Sequence, residues 1–328
     1  MQMKILFIHQ GLSSFVKKDL DILRSEHEVR EVVFRGPFAL LSVLKNMLWC
    51  DIAFSWFGKI HAFFAVLFSK LFRKRSIVVS GGDDVANIPE IRYGMFSFWW
   101  KKWCPLFVFK NADSILAVSN CNLNETIENA GVDQRKVKMI YHGFDPEVWK
   151  MKSGINKEKL VITVGRITEE TAVKKGLKIF VQSAGFLPDT RFILVGPAEG
   201  SGLDELKKIA PANVAFSGCL SGDDLIEMMS RAKVYVQASF HEAFGCSLAE
   251  AMLCECIPVV SKNAAIPEVV GDRGIYLDEL TPKNVAEKIR YAVSLSDVYG
   301  KKGRDRIVEK FPLSKRKQEI LEAISNAR

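Results

Sequence analysis

One stretch of the sequence, residues 233–261, reads KVYVQASFHEAFGCSLAEAMLCECIPVVS. It opens with a short β-branched and aromatic run at Lys233–Gln237, passes through a loop into an apolar helical segment, and closes with a second β-branched run at Ile257–Ser261. Short apolar runs separated by helices are typical of a parallel α/β sheet. The stretch therefore predicts a strand, a helix and a second strand.

The same alternation recurs along the chain in two sets of about six strands. The predicted strands are Lys4–His9, Val29–Phe34, Asp51–Trp56, Ser76–Ser80, Ser114–Val118, Lys138–Tyr141, Leu160–Val164, Arg191–Val195, Asn213–Ser217, Lys233–Gln237, Ile257–Ser261 and Gly274–Leu277. We expect an α/β fold of two doubly wound, Rossmann-like parallel-sheet domains that face each other across a cleft. A single large sheet is the alternative, and it fits less well because the alternation pauses at the charged stretch Asp145–Lys159, the predicted linker.

Length and composition agree with this expectation and exclude several other classes. A chain of 328 residues favours two domains, and 48% hydrophobic with 26% charged residues argues against disordered, collagen-like and coiled-coil proteins. The longest apolar run, Ile60–Phe72, is shorter than the ~20 residues of a spanning helix. Seven cysteines without a CxxC pair, and a start on a strand without an apolar leader, predict a reduced intracellular protein without disulfides or zinc.

Two cations follow the predicted strand that ends at Val164. Arg166 comes directly after it, and Lys175 lies close to the next helix start. Because ligands of doubly wound sheets bind at the carboxyl ends of the strands, these residues would offer a fork and a point charge to a diphosphate. The alternative is that Lys174 and Lys175 are a solvated helix start, although cations there oppose the helix dipole.

Two acids follow the strand Lys233–Gln237. Glu242 lies in the loop, and Glu250 comes eight residues later inside an apolar helix. A carboxylate at Glu250 needs hydroxyl partners in such surroundings, and a sugar or ribose diol supplies them. Gly245 at the junction of loop and helix permits close approach of a ligand to the free N–H groups of the helix. The alternative is an exposed Glu250 and a simple loop charge at Glu242.

The residues after this strand resemble a known signature. Glu242–Gly245, Glu250–Met252 and Ile257–Ser261 together resemble the E-x7-E signature of the retaining glycosyltransferases of family 4, which have the GT-B fold. Other pieces resemble this family in the same order along the chain: Ala117–Ser119, Tyr141–Asp145, Val164–Arg166 with Lys175–Gly176, Phe192–Gly196, Phe216–Gly218 and Ile266–Val270. The resemblance is dense over residues 114–277 and thin before them.

The resemblance implies a role for each matching residue. Glu242 would be the catalytic residue beside the reacting sugar carbon, and the remaining residues would bind the donor: Arg166, Lys175, Glu250, Phe244, Gly245, Cys246, Gly218 and Leu220. No cofactor and no metal are expected, because cations and a helix N-terminus neutralise the departing diphosphate. Asp19 and Asp21, two residues apart on a predicted helix, diverge by roughly 200° and are predicted to be surface residues.

The resemblance also implies the domain limits. We expect an N-terminal acceptor-side domain at residues 1–148, a C-terminal nucleotide-sugar-binding domain at 149–305, and a helix at 306–328 that crosses back to the first domain. Gly11 and Asp84 are the candidates for the acceptor or donor-sugar side. Gly81 stands where the family has a histidine, and Ile320, Leu321 and Ile324 are the expected buried face of the last helix.

The first third of the chain is both aromatic and basic. Residues 59–110 carry nine Lys and Arg against three Asp and Glu. Two segments could touch a membrane surface: residues 63–75, for which a buried core helix is the favoured alternative, and residues 96–110, where three tryptophans accompany lysines. No nucleic-acid-binding motif accompanies this charge. We expect a cytoplasmic protein, with peripheral contact to anionic membrane on its inner face as an open possibility.

These observations predict a retaining, metal-independent hexosyltransferase that moves a sugar from a nucleotide-diphosphate sugar to an acceptor hydroxyl. The expected acceptor is a carbohydrate, with a lipid-linked acceptor or a cell-surface glycan precursor as the form suggested by the basic aromatic segments. Two alternatives stay open: another GT-B enzyme such as a nucleotide-sugar epimerase, and a non-catalytic nucleotide-sugar-binding protein, suggested by Gly81.

Overall fold

The computed structural model describes residues 2–327 and separates into two compact units. Unit 1 contains the residues up to Gly143 and those from Ser314 onward, and unit 2 is Phe144–Leu313. The observed divisions therefore follow residues 143 and 313, whereas the sequence placed them after residues 148 and 305. The second predicted limit falls inside a helix of unit 2, Val298–Lys310.

Unit 1 is built on a parallel six-stranded sheet with the spatial order β2-β1-β3-β4-β5-β6. Its strands are β1 (Lys4–His9), β2 (Glu28–Val33), β3 (Ile52–Trp56), β4 (Arg75–Ser80), β5 (Ser114–Ala117) and β6 (Val137–Met139). The helices between them are α1 (Ser14–Arg24), α2 (Phe38–Met47), α3 (Ile60–Leu71), α4 (Trp103–Asn111) and α5 (Asn120–Ala130), with single 3₁₀ turns at Pro89–Ile91, Met95–Ser97 and Gln134–Lys136.

Unit 2 repeats the architecture with the order β12-β11-β10-β7-β8-β9, again parallel. Its strands are β7 (Glu158–Val164), β8 (Arg191–Val195), β9 (Val214–Gly218), β10 (Ala232–Gln237), β11 (Ile257–Val260) and β12 (Ile275–Tyr276). Its helices are α6 (Glu169–Lys174), α7 (Leu177–Ser183), α8 (Gly202–Ile209), α9 (Gly222–Arg231), α10 (Cys246–Leu253), α11 (Ile266–Val270), α12 (Pro282–Ser294) and α13 (Val298–Lys310), with 3₁₀ turns at Ala184–Phe186 and Gly271–Arg273. The last helix, α14 (Leu313–Asn326), lies almost wholly in unit 1.

The sequence predicted the strands well. All twelve predicted strands are present in the described residues, and each end lies within two residues of its predicted position. The reason is that the inner strands of these sheets are covered on both faces, so that they are continuous apolar runs rather than alternating ones. In β1, for example, Ile5, Leu6, Phe7 and Ile8 have no exposed surface.

The strand order reverses at one position in each sheet. In unit 1 the chain leaves β1 for β2 on one side and returns to β3 on the other side of β1. In unit 2 it leaves β7 for β8 and β9, and returns to β10 on the opposite side of β7. In doubly wound folds a crevice opens at this switch point, beyond the carboxyl ends of the two strands, and ligands bind there.

The predicted linker has no helix or strand between residues 145 and 157, but it is fastened to unit 2. The guanidinium of Arg304 on α13 donates hydrogen bonds to the carbonyl oxygens of Pro146, Trp149 and Leu253. The ammonium of Lys157 donates to the carbonyl oxygens of Met229, Ala232 and Cys254. The side chains of Arg304 and Lys157 therefore fasten this irregular segment to the rest of unit 2. The boundary between the two units lies before the segment, after Gly143.

A buried ion pair fixes α14 in unit 1. Arg316 donates through Nε and Nη2 to the two carboxylate oxygens of Asp19 on α1, both at 2.7 Å, and neither side chain is more than 3% exposed. Arg316 Nη1 also donates to the carbonyl oxygens of Ile140 and Tyr141, and the indole N–H of Trp56 donates to Asp19 at 3.1 Å.

The prediction of a surface position was thus wrong for Asp19 and right for Asp21, which is exposed. The sequence could not show that a helix from the far end of the chain covers α1. In α14 the predicted Ile320 and Ile324 are buried and Leu321 is half-buried, while Arg316 and Ala323 complete the buried face.

Substitution of Arg316 by Met should lower the free energy of unfolding of unit 1 by about 3–5 kcal/mol, because it leaves the buried Asp19 carboxylate without its charge partner. The double variant Asp19→Asn with Arg316→Met should recover part of that loss. Denaturant unfolding followed by tryptophan fluorescence measures it, since five of the six tryptophans belong to unit 1. Lys317→Ala, next to Arg316 on α14, breaks an exposed ion pair with Glu26 and is the control, which should change little.

Candidate functional site

The candidate site of unit 2 lies at its switch point, beyond the carboxyl ends of β7 and β10. The chain leaves β7 at Val164 and passes through Gly165 and Arg166 to α6, whose first turn is closed by a reciprocal capping box between Thr168 and Thr171. It leaves β10 at Gln237 and reaches α10 through the loop that contains Glu242. The two segments that the sequence predicted to carry the donor site therefore meet at one place.

Two glycines bring these segments into contact. Gly176, with φ +64°, separates α6 from α7, and a Cβ there would lie 2.1 Å from the carbonyl oxygen of Ala238. A Cβ at Gly165 would lie 2.9 Å from the side chain of Lys175. The backbone N–H of Phe240 also donates to the carbonyl oxygen of Lys174 at 2.7 Å. Because both positions lack a side chain, the α6–α7 junction packs directly onto the loop after β10.

Lys175 and Glu242 form an ion pair at this junction. The ammonium Nζ of Lys175 lies 2.6 Å from Oε1 of Glu242, and the two side chains are 22% and 10% exposed. The hydroxyl of Ser239 donates to the same carboxylate oxygen at 3.2 Å, and Ser239 is itself fixed through its carbonyl oxygen by Ser261 and Asn263. Lys175 is therefore not a solvated helix start, and Glu242 is not a simple loop charge.

The electrostatic surroundings keep Glu242 ionised. Burial raises the pKa of this carboxyl, but the charges of Lys175 and Lys174 and the hydrogen bond from Lys175 outweigh burial and lower its pKa to about 2. An ion pair in low-dielectric surroundings is strong when further hydrogen bonds complete it, as Ser239 does here. The site therefore holds a fixed negative charge and a fixed positive charge side by side at neutral pH.

Glu250 lies on α10, the helix that follows the loop of Glu242. It is buried on α10, with only 6% of its surface exposed, so the exposed helix face that was the alternative is excluded. Burial and the charges of Glu242 and Glu250 raise the pKa of Tyr235, a buried phenol on β10, well above its usual range. Lys175, Ser239 and Glu242 form a polar cluster, and Glu250 lies on the helix that follows it.

The other predicted donor residues are distributed unevenly around this cluster. Arg166 follows β7 as expected, but 61% of its side chain is exposed and it pairs with Glu199 at 3.5 Å. Gly245, with φ +101°, and Cys246 form the start of α10, while Gly218 and Leu220 lie at the end of β9, two strands from β7.

Phe244 departs from its predicted role. Its ring is 2% exposed and packs between Phe144 and Phe311 in the core of unit 2, with ring centroids 6.0 and 5.2 Å away. An aromatic ring covered on both sides by other rings has no surface left for a donor. The side chain of Phe244 therefore serves in packing. The neighbouring Gly245 lies at the start of α10.

The two candidates of unit 1 also differ in role. Gly11 follows β1 in an exposed loop, and a Cβ there would meet no atom within 4 Å, so the loop is open to a ligand. Asp84 is fully buried, and its carboxylate accepts hydrogen bonds from the backbone N–H groups of Gly58, Gly81 and Gly82. The structure thus uses Asp84 to hold the loops after β3 and β4, not to face a ligand.

Neither a metal centre nor a membrane span is recognisable in the described residues. Within residues 2–327 no three His, Cys, Asp or Glu side chains cluster as metal ligands would. No disulfide joins any of the seven cysteines, all of which lie in the described range. In that same part of the chain, every helix is too short or too polar to cross a bilayer.

Comparison with known proteins identifies the family. A profile described as "Glycosyl transferases group 1" matches residues 145–311, just over half of the chain. The chain belongs to the group 1 glycosyltransferases. The match spans the unit that holds the Lys175–Glu242 pair, and it confirms the glycosyltransferase family that the signature predicted.

Among its relatives, this glycosyltransferase is 25% identical over 264 residues to an uncharacterized glycosyltransferase of Methanocaldococcus jannaschii, covering 75% of this chain and 67% of the relative. It is 27% identical over 278 residues, 79% of this chain and 71% of the relative, to the N,N'-diacetylbacillosaminyl-diphospho-undecaprenol α-1,3-N-acetylgalactosaminyltransferase of Campylobacter jejuni.

Solved structures show the same fold. Anabaena HepE in complex with UDP-glucose has a TM-score of 0.84 at 20% identity, covering 99% of this chain and 100% of that one. WaaG, a glycosyltransferase involved in lipopolysaccharide biosynthesis, has a TM-score of 0.70 at 12% identity, covering 97% and 98%. The predicted GT-B fold of two Rossmann-like domains is confirmed.

Sequence reasoning about this glycosyltransferase missed Ser239 of the polar cluster and the buried Tyr235 on β10. Tyr235 belongs to an apolar strand and has no sequence signal that separates it from core aromatics. Ser239 stands three residues before Glu242, a spacing at which a hydroxyl in a turn often reaches a carboxylate, and it could have been proposed from that spacing.

Ionisation of Glu242 should make the free energy of unfolding depend on pH in the acidic range. Its folded pKa of about 2 is below the ordinary value of 4.5, so its stabilising contribution is present above pH 4.5 and is lost as the pH falls toward 2. Wild type should therefore exceed Glu242→Gln by on the order of 2 kcal/mol in unfolding free energy at pH 6, and by much less at pH 2.5. Urea unfolding of both proteins at the two pH values measures this, and an unchanged difference would contradict it.

Proposed function

We propose that this glycosyltransferase moves a hexose-type sugar from a nucleoside-diphosphate sugar to an acceptor hydroxyl with retention of configuration and without a metal. The observation that carries the proposal is the ion pair of 2.6 Å between Lys175 and Glu242 at the switch point of unit 2. It joins the residue that the family pattern assigns to the diphosphate with the residue that it assigns to the reacting sugar.

The donor phosphates are the part of the substrate that needs the most positive charge. When the bond from the anomeric carbon to the diphosphate breaks, negative charge develops on the departing phosphate oxygens. Lys175 provides a fixed ammonium, the exposed Arg166 can turn from Glu199 to the phosphates, and the N-terminus of α10 presents backbone N–H groups after Gly245. These three sources of positive charge support a reaction that needs no divalent cation.

The carboxylates serve the sugars in this proposal. Glu242 is ionised and fixed by Lys175 and Ser239, so it can orient the transferred sugar and stabilise positive charge at its anomeric carbon. Glu250, buried on α10, is proposed to accept hydrogen bonds from the ribose hydroxyls of the donor. The UDP-glucose held by HepE is consistent with a nucleotide sugar as donor.

The acceptor is proposed to be a carbohydrate carried on a lipid. The Campylobacter relative acts, by its name, on a diphospho-undecaprenol-linked sugar. Unit 1 of this chain offers a surface suited to such an acceptor: Trp99 is 78% exposed, Trp100 and Trp103 are also exposed, and Lys101 and Lys102 lie between them. Exposed aromatics beside lysines fit an anionic interface.

A second apolar face, which the sequence analysis did not single out, lies on α2. Phe38 is 84% exposed, and Leu41 and Leu48, the residue just after α2, follow it at spacings of three and ten residues, so that one stripe of the helix is apolar and uncovered. α2 packs on α3, and α3 packs on α4. The ring of Phe63 on α3 contacts the ring of Trp103 on α4. We propose that this side of unit 1 rests on the inner face of an anionic membrane, with the protein in the cytoplasm.

Two variants test whether Lys175 and Glu242 are needed for the reaction of the donor. Glu242→Gln and Lys175→Ala should each lower nucleoside diphosphate release from the best substrate of a nucleotide-sugar panel, beginning with UDP-glucose, by at least about 100-fold, in line with the loss of a single catalytic group. Lys178→Ala, three residues after Lys175, removes an exposed ion pair with Glu205; it is the control and should stay near wild type. Full activity in both variants would contradict the proposal, as would loss of activity on addition of EDTA to wild type.

The products separate the proposal from its two alternatives. A glycosylated acceptor whose anomeric configuration by NMR equals that of the donor supports retaining transfer. Free sugar as the product supports an epimerase-type enzyme. Tight binding of the donor without release of nucleoside diphosphate, at any acceptor tested, supports a non-catalytic binding protein.

Membrane contact is tested separately with vesicles that contain anionic lipid. Wild type should sediment with them at low salt and be released as salt screens the lysines. The variant with Ser at positions 99, 100 and 103 should bind several-fold less, and Phe186→Ser, which removes an exposed aromatic of unit 2, should bind as wild type does. Equal binding by all three proteins would rule out this face.

A further inference from the structure

Unit 1 has its own switch point, between β1 and β3, and the residue that follows β3 there is an aromatic one. Phe57 is half-buried and adopts φ +68°, a left-handed conformation that bulky residues avoid. Such strained conformations persist where the surrounding structure enforces them, and they cluster at ligand sites. The neighbouring loop after β1, with Gly11 at its open position, lies at the same switch point.

Hydrogen bonds on both sides hold Phe57 in this conformation. Its backbone N–H donates to the carbonyl oxygen of Val79 at 2.8 Å, and its carbonyl oxygen accepts from the N–H of Lys59 at 2.9 Å. The next residue, Gly58, donates to the buried Asp84 carboxylate at 2.7 Å. Asp84 therefore indirectly fixes the backbone that carries the Phe57 ring.

The Phe57 ring occupies the space beside Gly81. A Cβ at residue 81 would lie 1.9 and 2.3 Å from two carbons of the ring, so no side chain fits at residue 81 while the ring is in place. Gly81 is the position at which the family pattern has a histidine. The aromatic ring of the residue after β3 thus takes the space that a side chain of the residue after β4 would need.

Two charged groups border this ring. The ammonium of Lys59 lies 5.2 Å from the ring centroid and 2.6 Å from the carboxylate of Asp83, and each of these two side chains is about one-third exposed. An aromatic face attracts the polarised C–H groups of a ligand, and a neighbouring ammonium and carboxylate can bind its hydroxyls. A pyranose ring, with an apolar C–H face and an equatorial rim of hydroxyls, has this combination of groups.

We propose that Phe57 is a sugar-stacking residue of unit 1, with Lys59 and Asp83 binding the hydroxyls of the same pyranose. The inference rests on the proposed glycosyl transfer and adds to it the residue that recognises the sugar where the histidine is missing. The pyranose is either the transferred sugar of the donor or a sugar of the acceptor, and the two sources give different kinetics.

The experiment compares Phe57→Leu, Phe57→Tyr and Gly81→Ala with wild type. Phe57→Leu removes the aromatic face, and Gly81→Ala displaces the ring without changing it, so both should raise KM or lower kcat/KM for the sugar substrate by about tenfold or more. Phe57→Tyr keeps the face and should stay within about threefold of wild type. Phe186→Leu, an exposed aromatic of unit 2, is the matched control and should equal wild type. Melting temperatures show that the variants are folded.

Comparison of hydrolysis with transfer shows whether the pyranose belongs to the donor or to the acceptor. Loss of acceptor-independent hydrolysis of UDP-glucose, together with transfer, identifies the donor sugar. Loss of transfer alone, with hydrolysis unchanged, identifies an acceptor sugar. Either result supports the proposal, and variants that match wild type in both reactions overturn it.

A binding experiment keeps this inference separate from the proposed function. Saturation-transfer NMR with methyl α-D-glucopyranoside should show contact in wild type and Phe57→Tyr and lose it in Phe57→Leu. If wild type turns over no nucleotide sugar, the proposed transfer fails, and this measurement alone decides the role of Phe57. Absence of saturation transfer in wild type, or its persistence in Phe57→Leu, then overturns the sugar-stacking role.

Discussion

The constraint on which both units depend is that their strands run parallel. In a parallel sheet every strand delivers the loop that follows it to the same edge, and the reversal of strand order opens a crevice at one place on that edge. In unit 2 this geometry brings together two side chains 67 residues apart, the ammonium of Lys175 and the carboxylate of Glu242. In unit 1 it brings the loop after β1 close to Phe57 and to the turn that Asp84 holds. The direction of the strands therefore determines which side chains come together at the candidate sites.

The parts of the structure that the sequence predicted are those decided locally. Buried parallel strands are short β-branched runs, so their positions follow from composition over five or six residues. That the segments of Lys175 and Glu242 meet was also within reach, because the loops after β7 and β10 leave the same edge of the sheet; the short helix α6 then places Lys175. Arg166 shows the limit of that reasoning, since the same position on the backbone leaves its side chain in solvent with Glu199.

The parts that the sequence did not predict are those decided by distant segments. Helical spacing separates Asp19 from Asp21, but it does not show that α14 covers one of them. Asp84 resembles a ligand-binding acid until three backbone N–H groups are found around its carboxylate. Gly81 indicates a missing histidine, and only the packing shows that the ring of Phe57 fills the space. In each case the partner comes from another strand or helix, and no local pattern specifies it.

The ion pair between Asp19 and Arg316 has a consequence for how the chain is made. Its two residues are 297 positions apart, and the second emerges from the ribosome only after the whole of unit 2. Unit 2, which is continuous in sequence, can form its sheet while the chain is still growing. Unit 1 begins before unit 2 and is completed after it, because the Asp19 carboxylate inside it has no cation until α14 emerges. The first unit of the chain is therefore completed by a helix that follows the second.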